Sequence, residues 1–355
     1  MARKHGLTAF QIAAAYIAVT IGAGFASGQE VLQFFAFFGP DSFSAVILAT
    51  VLFIFFGAVI LQFGHELGAR SHLEIIRHAG GPLMGAAMDV VVTFFLFGGL
   101  AAMLAGAGAT VGQQFGLAPW TGSVAMLTVT LGTVLLGLTG ILCSFSFLVP
   151  VLILGVVALA AVILFLYPPS PALIQLARQP WAAAVPSWPV SALTYVSYNI
   201  VIAVAVLGPL GALAERRRFL TRGAIAGGVG VGVGVLAINL VLLSLPDAAA
   251  FPIPMAYAAG VVAPFAQAAY AGVLLAAIYT TAVGDLFGFT SRFAAPGTGR
   301  FRLIAAGAGL AALGAGQLGF TVLVRFLYAG VGIAGFLLLG ALVYGYFRAR
   351  LPLVH

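Results

Sequence analysis

The sequence predicts an all-α integral membrane protein with ten transmembrane helices arranged as two halves of five. Three observations carry that prediction: the composition, the spacing of apolar runs and the placement of basic residues. The chain is 63% hydrophobic and 6% charged, with a mean hydropathy of +1.17, whereas a soluble domain carries about 25% charged residues. Apolar runs of about the length that crosses a bilayer fall at 8–38, 42–67, 83–112, 121–139, 141–167, 188–213, 223–245, 262–290, 301–318 and 320–347. With the N-terminus inside, all but two of the fifteen lysines and arginines fall on the cytoplasmic side, the exceptions being Arg178 and Arg325. That is the bias of the positive-inside rule, and a nine- or eleven-span reading would scramble it. The expectation is a single transmembrane domain in the cytoplasmic membrane with both termini inside. No segment between spans is long or polar enough for a soluble domain, and Arg3 and Lys4 precede a span without a convincing cleavage pattern.

The first span is interrupted. Within YIAVTIGAGFASGQEVLQFFAFF (16–38) lie Gly22, Gly24, Gly28, Ser27, Gln29 and Glu30, where lipid favours leucine. Each glycine costs roughly 1 kcal/mol relative to alanine in a helix interior. Close packing through Gly24 and Gly28 would explain glycines, but not the polar residues beside them. A span tolerates freed backbone and a carboxylate where it faces protein or a water-filled cavity, so an unwound segment is the better reading. Amides near Ala23, Gly24, Phe25 and Ser27 would then favour an anion, and the carbonyls near Ala18 and Ile21 a cation. Interrupted helices at mid-membrane point to a binding site in secondary transporters.

The second span, 42–67, carries His65 and Glu66 at its inner end, and Asp89 opens the third, so these face the cytoplasmic boundary. The fourth and fifth spans are separated only by GLTG around Gly137 and Gly140. The sixth holds a polar cluster, Tyr195, Ser197, Tyr198 and Asn199, whose buried amide and phenols need partners; Gly208-Pro209 further on reads as a kink. The seventh, GGVGVGVGV (227–235), has glycines without polar company and reads as close helix packing. The eighth reads A-x-x-T-T over Ala277, Thr280 and Thr281. It could offer a carbonyl and two hydroxyls to a hard cation, or its threonines could simply bond their own i−4 carbonyl. Asp285, one turn on, could accept a proton, pair with basic residues or be wet, while Glu30 is the deeper acid and a candidate for a coupled proton or a substrate amine. The ninth and tenth spans meet at Gly319, and Arg325 opens the tenth on the outer side, placed to snorkel or to pair across an outer gate.

The two halves, about 8–167 and 188–347, run parallel in hydropathy. Each opens on a tyrosine followed by a polar interruption (Tyr16, Tyr195), and each closes on two spans joined almost without a loop. This is the pattern of an inverted repeat. Enzyme readings lack parts: the five histidines (His5, His65, His72, His78, His355) make no metal spacing and no serine has a histidine partner. The lone Cys143 excludes an internal disulfide. A channel would need more polar lining than this chain has, and a sensor would be expected to carry an output domain.

TIGAGFASGQE in the first span, YNI in the sixth and the TT-x-x-GD stretch of the eighth resemble the YkvI-type bacterial membrane proteins, a branch of the LeuT-fold superfamily of amino acid–polyamine–cation transporters. The resemblance runs over the whole chain in span order. It implies a LeuT fold with discontinuous first and sixth helices and a substrate held between them, flanked by the third and eighth. It implies alternating access by rocking of spans one, two, six and seven against three, four, eight and nine. It places a sodium ion among Ala18, Ile21, Ala277, Thr280 and Thr281, and no other cofactor. The implied partner is a small carboxylate-bearing solute such as an amino acid, with Gly22, Ala23, Gly24, Phe25, Ser27, Phe94, Phe97, Tyr195, Tyr198 and Asn199 as candidate contacts and no role for nucleic acid. A nucleobase-like solute or an inorganic ion, and proton in place of sodium coupling, stay open. One departure concerns the sixth span, which has no glycine between Pro189 and Leu207.

Overall fold

The structure is a computed structural model that describes residues 7–69, 71–136, 141–214 and 216–348, without the side chains of 141–150. Arg3, Lys4, His5, Arg70, Gly137, Gly140, Arg350 and His355 therefore lie outside the described residues, as does the side chain of Cys143.

The described chain is helical almost throughout. Thr8 starts α1 (Ala9–Thr20) with a reciprocal cap to Gln11. The helix stops at Ile21 and Gly22, both extended, and resumes as α2 (Ala23–Ser27) and α3 (Gln29–Phe34). Between these two short helices Gly28 takes φ +83°, and a Cβ there would press on Met255, so glycine is required twice over. Next come α4 (Asp41–Leu67) and α5 (His72–Phe115). Gly81, at φ 82° ahead of Pro82, divides α5 into a short inner arm and the long apolar rod. There follow α6 (Pro119–Leu136), α7 (Ile141–Leu166), the short α8 (Pro171–Leu176), α9 (Trp188–Ala212), α10 (Arg217–Ser244), α11 (Pro254–Val262), α12 (Pro264–Ser291) and α13 (Gly299–Gly316). The last long helix runs through α14 (Phe320–Leu323), a π-helical turn at Val324–Tyr328 and α15 (Ala329–Arg348).

Among the described residues, seven helices are long and apolar enough to cross a membrane: α4, α5, α6, α9, α10, α12 and the Phe320–Arg348 rod. Ala9–Thr20 and Val151–Leu166 are shorter apolar helices.

The helices sort into two groups. α1, α4, α9 and α10 pack chiefly on one another, and α5, α6, α12 and α13 do likewise, with α15 lying against both α9 and α5. Glycine sets the approach within the first group. A Cβ at Gly227 would meet the Tyr16 ring, one at Gly228 the Ile54 backbone and one at Gly234 the Phe25 ring. The glycine run of α10 is thus the packing surface its sequence predicts. Tyr16 fits between Gly57 and Gly227 and donates its hydroxyl hydrogen to the Phe53 carbonyl at 2.8 Å.

One expectation fails here. α9, the sixth apolar run, is an unbroken helix from Trp188 to Ala212, not a discontinuous one. In its polar cluster Asn199 donates to the Tyr195 carbonyl one turn back at 2.9 Å, while the Tyr195 hydroxyl and Ser197 Oγ are buried without a hydrogen-bond partner among the described residues. Gly208 and Pro209 lie inside this helix and do not end it. Gly64 of α4 lets the two helices press together, since a Cβ there would collide with the Gly208 backbone, and a Cβ on Gly208 would meet the Ile75 side chain.

Candidate functional site

The break in α1 opens on a cavity of about 190 Å³. From the first run come Ala18, Val19, Thr20, Ile21, Gly22, Ala23, Gly24 and Glu30; from α5, Phe95, Gly99 and Met103; from α9, Tyr198 and Ile202; from α12, Ala277, Thr280, Thr281 and Asp285. Leu152 of α7 and Tyr328 complete the wall.

All five residues of the implied cation set therefore face one space, at the end of α1 and the middle of α12. Both threonine hydroxyls donate to the Ala277 carbonyl, Thr280 at 2.9 Å and Thr281 at 3.0 Å. This is the local back-bonding that membrane threonines commonly make. It uses each hydroxyl's proton and leaves its lone pairs free.

Gly22, Ala23, Gly24 and Tyr198 line the cavity, but six other candidates do not. Phe25 is buried against Gly234 of α10. Ser27 serves the backbone, donating to the Gly24 carbonyl at 2.6 Å and accepting from the Gln29 amide at 3.1 Å. Phe94 is 59% exposed on the outer flank of α5, and Phe97 packs on Phe289. Tyr195 sits behind Tyr198 among Phe34, Phe35 and Phe53, and Asn199 is spent on the Tyr195 carbonyl. The aromatic that faces the cavity is Phe95. Phe95, Gly99 and Met103 share one stripe at i, i+4, i+8, and that spacing would have selected Phe95 from the FFLF run. Nothing in the local sequence marked Tyr328, which ends the π-helical turn. Such turns often occur at functional sites.

Glu30 and Asp285, placed at different depths by the sequence, meet in this cavity. Glu30 is 5% exposed and folds back over Gly24, where a Cβ would overlap its carboxylate. It accepts a hydrogen bond from the Tyr198 hydroxyl. Asp285 is 9% exposed rather than wet, and lies against Gly99, whose Cβ would stand 2.6 Å from its Oδ2. Among the described residues the ion pairs are Arg178–Asp41, Arg217–Glu66 and Arg292–Asp89, all away from the cavity. Among the described residues no lysine, arginine or histidine lines it.

Beyond Glu30 the run from α2 to α3 is tied down. Tyr270 donates to the Ala26 carbonyl at 2.6 Å, Gln29 to Thr321 Oγ1 at 2.8 Å, Gln33 to the Thr321 carbonyl at 3.0 Å and Ser191 to the Phe34 carbonyl at 2.9 Å. Gln113 and Ile253 exchange two hydrogen bonds, at 3.0 and 3.1 Å. Arg325 does not line the cavity; it donates to the Trp181 carbonyl at 3.1 Å and joins the last helix to the loop before α9.

No protein-family model matches the chain. Two Bacillus subtilis (strain 168) proteins do. The membrane protein YkvI is 28% identical over 336 residues, 95% of each chain. YyaD is 34% identical over 278 residues, 78% of each chain. Among solved structures, MhsT in complex with L-phenylalanine superposes with a TM-score of 0.55 at 16% identity, over 92% of this chain and 87% of that one. A manganese transporter mutant from Eremococcus coleocola gives 0.55 at 12% identity, over 91% and 75%. At such identities the likeness speaks for architecture, and that architecture is the LeuT fold. The chain belongs to the family of YkvI and YyaD and is a LeuT-fold membrane protein.

Proposed function

We propose that this protein is a secondary transporter of the cell membrane that moves a small solute by alternating access and draws on a sodium gradient. The observation that carries the reading is the break at Ile21–Gly22, which opens on a cavity shared with Ala277, Thr280 and Thr281. Interrupted helices that line a buried cavity are how transporters expose backbone to an ion or solute.

Several features support the finer parts. The Ala9–Thr20 helix with its α2–α3 extension, α7 and α13 would bring the seven long apolar helices to ten crossings. The pairing of helices fits an inverted repeat of 8–167 and 188–347: α1 packs on α10 as α9 packs on α4, and α13 on α5 as α6 on α12. The first group, α1, α4, α9 and α10, is the body that would rock against α5, α6, α12 and α13. With both termini cytoplasmic, the bonds from Ala26 to Phe34 seal the outer side, and the cavity lies on the inner side of that seal.

The sodium ion would sit where the carbonyls of Ala18 and Ile21 face the hydroxyls of Thr280 and Thr281, with Asp285 one turn along the same face. The cavity argues against the carboxylate-bearing solute that the family resemblance implied, since the Glu30 carboxylate already lies against Gly24 and α2 is only five residues long. The two buried acids also favour a second reading, in which a proton replaces sodium.

The test is the thermal midpoint of the purified protein in sodium chloride against equimolar potassium chloride, with Thr281→Ala beside the wild type. A ligand that binds only the folded state raises the midpoint by mass action. The expected result is sodium-specific stabilisation that Thr281→Ala removes. No sodium effect over a wide range would sink sodium coupling and move attention to protons at Glu30 and Asp285.

A further inference from the structure

We propose that the cavity binds a small organic ammonium ion, its head held in a cage made by Glu30, Phe95, Tyr198 and Tyr328. This rests on the cavity being the transport site and names the class of solute it takes.

The cage is an arrangement of three rings and one carboxylate. Phe95 and Tyr198 stack with centroids 6.4 Å apart, Phe95 and Tyr328 lie at 5.6 Å, and Tyr198 and Tyr328 at 5.1 Å. All three line the cavity beside Glu30. Tyr198 donates to the Glu30 carboxylate, and the Tyr328 hydroxyl approaches the same face of Gly24 as that carboxylate does. Ring faces carry negative potential and attract a desolvated ammonium. A carboxylate in their midst adds a full charge and hydrogen-bond acceptors. A solute carboxylate would instead meet the Glu30 oxygens and the faces of three rings.

Charge bookkeeping points the same way. Among the described residues two acids and no basic residue line the cavity, and Asp285, more than nine-tenths buried, makes no hydrogen bond or ion pair. A buried charge without a partner is strongly disfavoured, so the site calls for positive ligands. Two carboxylates match two monovalent cations: sodium at the Thr281–Asp285 end and an ammonium at the Glu30 end. A transition metal fits poorly, because no group of three His, Cys, Asp or Glu residues is close enough to hold one among the described residues. The volume of about 190 Å³ has room for a short alkylamine.

The experiment compares n-butylammonium with n-butyrate and n-butanol in thermal melting of the full-length protein, in sodium and in potassium. Butylammonium should raise the midpoint, and butyrate and butanol should not. Glu30→Gln should weaken the apparent affinity at least tenfold while the sodium response persists. Should Glu30→Gln fail to fold, Phe95→Leu and Tyr328→Leu should each weaken butylammonium several-fold. Stabilisation by butyrate in place of butylammonium would overturn the proposal. So would stabilisation by neither while sodium still stabilises, which leaves the transporter reading standing. A butylammonium effect without any sodium effect would keep the cage and remove sodium coupling. A butylammonium effect that survives all three substitutions would overturn the cage.

Discussion

Gln29 donates its side-chain amide to the hydroxyl of Thr321 at 2.8 Å, across 292 residues of sequence. This bond ties the second half of the broken first run to the start of the last helix. Gln33 adds a second bond to the same residue through its backbone carbonyl. Removing the Thr321 hydroxyl while keeping its shape isolates the first bond.

Thr321→Val leaves the Gln29 amide buried and unpaired, which costs about 1–3 kcal/mol. The closed state should lose that amount relative to an open one. Since about 1.4 kcal/mol is tenfold, the amides of α3 and α14 should exchange with deuterium roughly tenfold faster than in the wild type. Unchanged exchange would mean that this bond does not hold the outer closure.

Gly228→Ala should destabilise the fold by about 1–3 kcal/mol, the usual cost of overpacking. The added methyl would meet the backbone nitrogen of Ile54 at 2.9 Å, so α4 and α10 must separate. Gly330→Ala, with nothing within 4 Å of its Cβ, should be neutral or slightly stabilising. Denaturation midpoints of the two variants should therefore move apart. Equal shifts would refute the packing role of the α10 glycines.

The contrast shows what the sequence made legible. Glycines without polar neighbours in α10 spoke for packing, and glycines beside Ser27, Gln29 and Glu30 spoke for a break, because helix geometry fixes who faces whom over one element. Register within an aromatic run was harder. Phe94, Phe95 and Phe97 are chemically alike, and only the turn-by-turn alignment of Phe95 with Gly99 and Met103 separates them. Tyr328 was invisible, since its direction follows from a π-helical turn that local composition does not announce. The meeting of Glu30 with Asp285 was equally hidden, because it depends on how α3 and α12 cross. The expected break in the sixth run came from kinship together with the polar cluster at Tyr195, Ser197, Tyr198 and Asn199, and the missing glycines there already counted against it.

Phe95→Ala should weaken binding of an n-alkylammonium about tenfold, and Phe94→Ala should leave it unchanged. The first faces the cavity, and the second is 59% exposed on the other flank of the helix. Loss of one ring face together with its packing is worth about 1–2 kcal/mol. Equal effects from the two variants would place the wrong flank of α5 in the site.

Asp89→Asn should lower stability by about 0.2–1 kcal/mol, the usual worth of a partly exposed ion pair, without altering the sodium response. The Arg292 guanidinium bonds the Asp89 carboxylate at 2.5 Å, the Asp89 carbonyl at 3.3 Å and Thr93 Oγ1 at 3.0 Å, joining α12 to α5. Both helices belong to the group proposed to stay fixed, so the bond should hold through the whole cycle. A changed sodium response in Asp89→Asn would show that this pair moves.

The unbroken α9 makes the two halves mechanically unequal. A joint needs backbone that is already free of helical bonding, and the first run has one at Ile21–Gly22, while α9 is helical throughout and lacks only the bond that Pro209, in its last turn, cannot donate. If the chain alternates as proposed, α1 can flex like an elbow, whereas α9 must swing as a stiff strut. Gly22→Ala should then slow the inward-opening step, leaving exchange at α3 and α14 as in the wild type. Exit toward the cytoplasm becomes a local bend, entry from outside a rotation of four helices at once, and the slower of the two sets the turnover of the whole cycle.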